Sequence, residues 1–274
     1  MTTEPGTDSA TTPSADATTA EIGTDPAANE RGSGDRPHEW RPDRFMVIVA
    51  HPDDADFGPA GTAAAWIAAG SAGWLVCCTS GDQGSEDHTL DPLVLARTRE
   101  SEQRAAAEVI GYEGVTFLHQ PDGALANTLA LRELLVREIR RFRPDAVIST
   151  DPETLFRRGG RGINHTDHRA AGMAAADAVF PASRNPMFMP NLVREGLEPH
   201  RVRRLYLSGS NEPGVRVDVS AHLERKMEAL LRHTSQFVAD ADSMANVRAR
   251  AAAEGRHIGV AAAEAFRLVV IDPD

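Results

Sequence analysis

An α/β fold is predicted, with a mostly parallel sheet covered by helices on both faces, and three observations predict it. First, short apolar runs and helical patterns alternate four times between Phe45 and Ser149. Such alternation argues for parallel strands joined by right-handed crossovers. Second, the apolar runs are nearly continuous, as in strands buried on both faces. Third, the first run, Phe45 to Ala50, leads directly into His51, Asp53 and Asp54. Open α/β sheets place their sites at the carboxyl ends of such strands.

The elements follow in order. After the first strand, the Ala-rich stretch Gly61 to Gly70 predicts a short helix that ends at a glycine. Trp74 to Thr79 predicts a second strand, followed by the polar loop SGDQGSEDH from Ser80 to His88. Pro92 to Ile110 is helical, with Leu95, Ala106, Val109 and Ile110 on one face and Gly111 as the stop. Val115 to Leu118 is a third strand, and Gln120-Pro121-Asp122-Gly123 a turn. Leu129 to Phe142 carries Leu131, Leu134, Leu135, Ile139 and Phe142 at helical spacing, and Pro144 breaks it. Ala146 to Ser149 is the fourth strand. A glycine- and arginine-rich loop then leads to His165-Thr166-Asp167-His168, which opens a helix from Arg169 to Phe180. Pro181 to Pro199 reads as irregular. Strands at Arg204 to Ser208, Val215 to Val219 and Phe266 to Ile271 complete the chain, with helices at Ala221 to His233 and near Ser243 to Glu254.

Composition narrows the function. The chain has 274 residues and a net charge of −11, so electrostatics disfavour a nucleic-acid partner. Residues 1 to 37 hold seven acids and two bases, which accounts for −5 of that charge. Their large aliphatic content is a single Ile22, too little apolar surface to offset chain entropy. Residues 1 to 43 therefore read as a disordered acidic tail, and 44 to 274 as the globular domain. The tail matches neither a signal peptide nor a transit peptide. Cys77 and Cys78 are adjacent in a strand, point to opposite faces and are badly placed to bridge each other. Without a disulfide framework or an apolar membrane span, the expected location is the cytoplasm.

The chemistry concentrates in two pairs. His51 and Asp54 stand three residues apart just past one strand, and His165 and His168 have the same spacing past the fourth. In a doubly wound sheet those strands can be neighbours flanking the switch-point crevice. The pairs then meet, although roughly a hundred residues separate them. Two histidines and a carboxylate with an open fourth position form a catalytic zinc site. Such a metal lowers the pKa of bound water to about 7. A second carboxylate accepts the proton, a second histidine stabilises an oxyanion or protonates a leaving amine, and Asp167 orients such a histidine. Spacing alone leaves open which of Asp53 and Asp54 binds metal and which is the base. Two adjacent carboxylates repel each other unless a positive group sits between them, so Asp53-Asp54 has no evident packing purpose.

Ala50-His51-Pro52-Asp53-Asp54 with His165-Thr166-Asp167-His168 downstream closely resembles the LmbE/PIG-L family of zinc-dependent N-deacetylases. The resemblance extends from about Arg44 to Ile271 and excludes the tail. It implies a Rossmann-like fold, Zn2+ held by His51, Asp54 and His168, Asp53 as general base, and His165 as oxyanion stabiliser or acid tuned by Asp167. It also implies an N-acetylglucosamine-type substrate, a small amino-sugar conjugate, and leaves room for a homo-oligomer. Arg99 begins a segment that resembles the family's sugar-contacting arginine region or else lies on a solvated helix face, and Asp122 either holds a sugar hydroxyl or serves only the turn. His233-Thr234-Ser235-Gln236 resembles a stretch seen in relatives, without a derivable role. Cleavage of a larger acyl amide and non-catalytic sugar binding are the competing readings. A nucleotide-binding turn is disfavoured, because HPDDADFG lacks the glycines and its aspartates would repel a pyrophosphate.

Overall fold

The computed structural model describes residues 1–2, 36–160, 162–237 and 240–273. The expected disorder of the tail falls largely on 3–35, and Arg161 of the arginine-rich loop is likewise outside the described residues.

Seven strands form one sheet in the order β3-β2-β1-β4-β5-β7-β6. They are β1 (Arg44–Val49), β2 (Ala72–Thr79), β3 (Gly114–Gln120), β4 (Ala146–Thr150), β5 (Arg204–Ser208), β6 (Val215–Asp218) and β7 (Ala263–Val270). The first five pair in parallel, whereas β7 runs antiparallel between β5 and β6. From β1 the chain steps outward to β2 and β3, then returns to place β4 on the other side of β1. The switch point therefore lies between β1 and β4, paired in the register Phe45↔Ala146 to Val47↔Ile148.

The helices are α1 (Asp54–Phe57), α2 (Ala60–Ala68), α3 (Pro92–Ile110), α4 (Leu129–Phe142), α5 (Thr166–Asp177), α6 (Pro190–Arg194), α7 (Leu223–Leu230) and α8 (Ala241–Arg256). Local chemistry accounts for their ends. Asp91 caps α3 by accepting the Leu93 N–H at 2.9 Å, with Pro92 in the first turn, where its missing N–H costs nothing. Gly111 ends α3 at φ 101°, a conformation that glycine takes without steric cost. Thr128 caps α4 through the Leu131 N–H.

Both sheet faces are covered. On one, Phe45, Val47 and Val49 pack with Trp66 of α2 and Ala106 and Ile110 of α3. On the other, Met46, Ile48 and Ala50 pack with Leu131, Leu135 and Ile139 of α4 and Ala171 and Ala175 of α5. Each fully buried large side chain contributes about 1.5–3 kcal/mol of apolar burial. The central strand is thus a fixed platform for the residues that follow it. Cys77 joins the first cluster and Cys78 the second, both as free buried thiols, as strand alternation requires.

Two local expectations change. The helix predicted from Arg169 starts earlier, at Thr166, because the His165 ring caps it; it ends at Asp177 and gives way to a wider turn over Ala178–Ala182 that accommodates Pro181. The irregular 181–199 stretch contains the short α6, which opens on Pro190. Among the described residues, no helix is long and apolar enough to cross a membrane.

Candidate active site

His51 lies just beyond β1, and α5 begins beyond β4, so the two motifs face each other across the switch point. Asp54 joins them. Its Oδ2 accepts the His51 backbone N–H at 2.9 Å and lies 3.4 Å from His51 Nδ1; its Oδ1 lies 3.0 Å from His168 Nε2. Behind His168, the ring Nδ1 meets Oδ1 of buried Asn164 at 3.2 Å, and Asn164 Nδ2 donates to the Thr154 carbonyl. A proton on His168 Nδ1 shared with Asn164 leaves Nε2 with a lone pair facing Asp54. This is the usual support of a metal-binding imidazole.

His51 is held similarly. Its Nε2 lies 2.9 Å from Asp122 Oδ1 and 3.4 Å from Asp167 Oδ2, so Nδ1 is the nitrogen turned toward Asp54. Asp122 also accepts the Gln83 N–H at 2.8 Å, and Asp167 the Gly123 N–H at 2.7 Å. Both aspartates thus act on His51. The structure brings Asp167 to that ring, whereas toward His165 it offers only its backbone N–H, 3.2 Å from Nδ1. His165 is exposed at the mouth, with its ring centroid 4.9 Å from that of His51. Ligand atoms of His51, His165 and His168 lie within 4.8 Å of one another, as do those of His51, Asp122 and Asp167.

The electrostatics call for a cation. Burial lowers the pKa of His51, but hydrogen bonds to Asp122 and Asp54 outweigh it and raise it to about 10. Burial pushes Asp54 up, yet the two histidines pull it well below the carboxylate range. Asp122 is also lowered, because His51 and the Gln83 N–H outweigh its burial. Asp53 goes the other way: burial and the neighbouring Asp54 charge raise it, and Arg99 only partly offsets them. Burial and the charges of His51 and His168 lower His165. Asp167 Oδ1 is buried without a hydrogen-bond partner. A divalent metal among these donors would meet the same demand for positive charge that the His51 proton meets, so the residues fit one.

Asp53 sits at φ 94°, a left-handed conformation that costs a non-glycine residue roughly 1–3 kcal/mol. Four hydrogen bonds hold it. Its N–H donates to Gln103 Oε1 at 2.7 Å, and its Oδ2 accepts from Arg99 Nη2 at 3.1 Å. Its carbonyl accepts the N–H groups of Asp56 and Phe57 at 2.9 Å each, in the turn that starts α1. Arg99, expected at the sugar or on a solvated face, is only 4% exposed. Its guanidinium also donates to the carbonyls of Gly81 and Pro52. The 80–85 loop lies against it so closely that a Cβ on Gly84 would stand 2.2 Å from Arg99 Nη1.

Sequence reasoning missed the support behind Asp53. Gln103 Nε2 donates to Asp56 Oδ2 at 2.8 Å, and the same oxygen meets His233 Nε2 at 2.9 Å; all three residues are buried. Next to His233, Ser235 Oγ and N–H and Thr234 Oγ1 bind Glu102, and Gln236 Nε2 donates to the Gly84 carbonyl. The His233-Thr234-Ser235-Gln236 stretch is therefore a strap across α3 and the loop over Arg99. Its motif-like sequence was the one available signal, since the partners lie up to 177 residues away.

Comparison with known proteins agrees with this geometry. The family model PIG-L, described as GlcNAc-PI de-N-acetylase, matches residues 46–179. Diacetylchitobiose deacetylase of Thermococcus kodakarensis is 30% identical over 201 residues, covering 72% of this chain and 71% of that protein. A 1D-myo-inositol 2-acetamido-2-deoxy-alpha-D-glucopyranoside deacetylase of Kineococcus radiotolerans is 26% identical, covering 74% of this chain and 71% of that protein. Among solved structures, N,N'-diacetylchitobiose deacetylase from Pyrococcus horikoshii superposes with a TM-score of 0.76 at 29% identity, covering 85% of this chain and 87% of the other. With both motifs intact and meeting at the switch point, the chain belongs to the PIG-L family of de-N-acetylases, enzymes that hydrolyse an amide.

Proposed function

We propose that this protein is a zinc-dependent hydrolase that removes the acetyl group from an N-acetylglucosamine-type sugar conjugate and releases acetate and a free amine. The observation that carries the reading is Asp54, whose two oxygens touch His51 and His168 while Asp53 stands next to it. In this reading His51 Nδ1, Asp54 and His168 Nε2 hold the metal. When bound, zinc supplies a water of lowered pKa, about 7, and polarises the amide carbonyl.

Asp53 is the general base. Arg99 occupies its Oδ2, which leaves Oδ1 to take the proton of the attacking water. Its raised pKa suits a carboxylate that must hold a proton near neutrality and then pass it to the departing amine. His165 accepts the Asp167 N–H at Nδ1, so its neutral ring carries the proton on Nε2. Its lowered pKa keeps it neutral, a hydrogen-bond donor for the oxyanion of the tetrahedral intermediate. Arg99 acts through Asp53 in this reading, and Asp122 and Asp167 act through His51. The assignment also fits a cytoplasmic enzyme meeting a soluble amino-sugar conjugate.

Acetate release from a panel of N-acetylglucosaminides tests the reading. Asp53→Asn should abolish turnover with the metal retained, and His168→Ala should lose the metal. Full turnover in Asp53→Asn would remove it as base, and undiminished zinc in His168→Ala would overturn the ligand set.

A further inference from the structure

We infer that the substrate carries an anionic group, a carboxylate or a phosphate, and that Arg157, Arg158 and Arg250 receive it. This rests on the deacetylase reading and names its substrate class more closely. A cleft of about 600 Å3 opens from Asp54 and His168, passes Thr154 and the 208–211 turn, and ends against α8. Its size is that of a small-molecule site, about 300–1,000 Å3.

The charges in its wall sort into two groups. Asp54 is engaged with the histidines; Glu264 is bound to buried Lys226 at 2.7 Å; Glu254 is bound to Arg216 at 2.9 Å. Every acid lining the cleft is therefore neutralised. Arg157, Arg158 and Arg250 line the same cleft, are exposed, and have no ion pair among the described residues. Many other arginines of this acidic chain find a carboxylate. Arg248, two residues from Arg250 on α8, binds Glu224, and Arg137, Arg232 and Arg267 bind Glu195, Glu228 and Glu153. Three uncompensated guanidinium groups from two separate segments thus share one cleft in a protein of net charge −11.

Backbone bonds tie the two ends of the segment that carries two of them. Phe156 pairs with Ile163 as an isolated antiparallel bridge, and Arg157 N–H donates to the Gly162 carbonyl at 3.0 Å. Asn211 Nδ2 ties the Phe156 carbonyl to the opposite rim at 2.8 Å. Guanidinium forks match carboxylate and phosphate oxygens, whereas a neutral sugar needs no such charge. With the acetamide at the metal ligands, the anion lies on the part of the substrate directed along the cleft toward α8.

The test compares three N-acetylglucosamine derivatives: a methyl glycoside, a glycoside of a hydroxy acid, and the 1-phosphate. Binding to the zinc-loaded Asp53→Asn protein is read by titration calorimetry, and turnover of the parent enzyme by acetate release. An anionic derivative should bind about tenfold or more tighter than the methyl glycoside, and the advantage should shrink with salt. In the variant that also carries Arg157→Gln, Arg158→Gln and Arg250→Gln, the ratio should collapse toward one. The carboxylate and phosphate arms identify which anion is taken. Equal binding of all three, or a preference that survives the triple substitution, overturns the inference. Anion preference without acetate release from any derivative would support the cleft assignment and refute the deacetylase reading instead.

Discussion

Gln103→Leu is the most informative single substitution, because Gln103 holds the backbone of Asp53, the proposed base, and its hydrogen bonds go to none of the proposed metal ligands. The leucine keeps the volume and removes two hydrogen bonds. Loss of the Gln103 acceptor orphans the Asp53 N–H, and loss of its Nε2 takes a donor from buried Asp56, whose Oδ1 already lacks a partner. An orphaned buried group costs about 1–3 kcal/mol and a lost bond to a charged acceptor about 1.5–3 kcal/mol, so roughly 2.5–6 kcal/mol is expected. That is a large share of a typical total stability of about 5–15 kcal/mol. The left-handed Asp53 can also relax once its N–H is released, which moves the carboxylate. A displacement of about 1 Å costs up to roughly 100-fold in rate. The assay is denaturant unfolding together with kcat, taken at a temperature where circular dichroism shows both proteins folded, with metal content measured in parallel. The expected result is a lower unfolding midpoint, full metal content and a kcat reduced by about ten- to a hundredfold. An unchanged kcat in a folded, metal-loaded variant would refute the claim that Gln103 positions the proposed base.

Two further substitutions test the frame around the site. In Gly172→Ala, a Cβ would stand 2.1 Å from the Thr150 carbonyl oxygen, forcing α5 away from β4. Overpacking of about 1–3 kcal/mol predicts a Tm lower by roughly 2–12 °C, with weaker metal retention because the proposed ligand His168 rides on α5; an unchanged Tm would show that the helix yields freely. Lys226→Met leaves Glu264 buried beside the N–H groups of Gly61 and Thr62 without its ion-pair partner. A loss of about 3–5 kcal/mol in denaturant unfolding is expected, with partial recovery when Glu264→Gln is added; no recovery would mean that the lysine acts through the Phe57 and Gly58 carbonyls instead.

The site was legible in the sequence where chemistry and local pattern coincide. His51, Asp53 and Asp54 follow an apolar run, and His165 and His168 open a helix, so placing both pairs at the switch point needed only the rule for parallel sheets. What escaped depends on distant partners. Arg99 stands among charged neighbours and reads as a surface residue; only the folded loop shows that Gly81 and Pro52 cover its guanidinium. Asp167 looks like a partner for His165 because they are neighbours in sequence, but helix geometry turns its carboxylate toward His51. Asp56 carries no local signal in the sequence, and its bond to His233 spans 177 residues. The antiparallel insertion of β7 between β5 and β6 was likewise unreadable, since short apolar runs carry no record of which neighbour they pair with.

The meeting of β1 and β4 has a consequence for biosynthesis. A ribosome releases His51 and Asp54 well before His168, which lies 114 residues beyond Asp54. At synthesis rates of about 5–20 residues per second, the first half of the donor set waits roughly 6–23 s for the second. During that interval β1 and β2 can pair, but the charged end of β1 has no histidines from α5 opposite it. With the proposed ligand set, metal capture would follow completion of the β1–β4 pair, and a nascent chain arrested before α5 exposes Asp53 and Asp54 with no counter-charge from that helix. Metal content in a pulse-labelled population would report assembly of the switch point itself, hence how many chains have joined the two halves of the sheet.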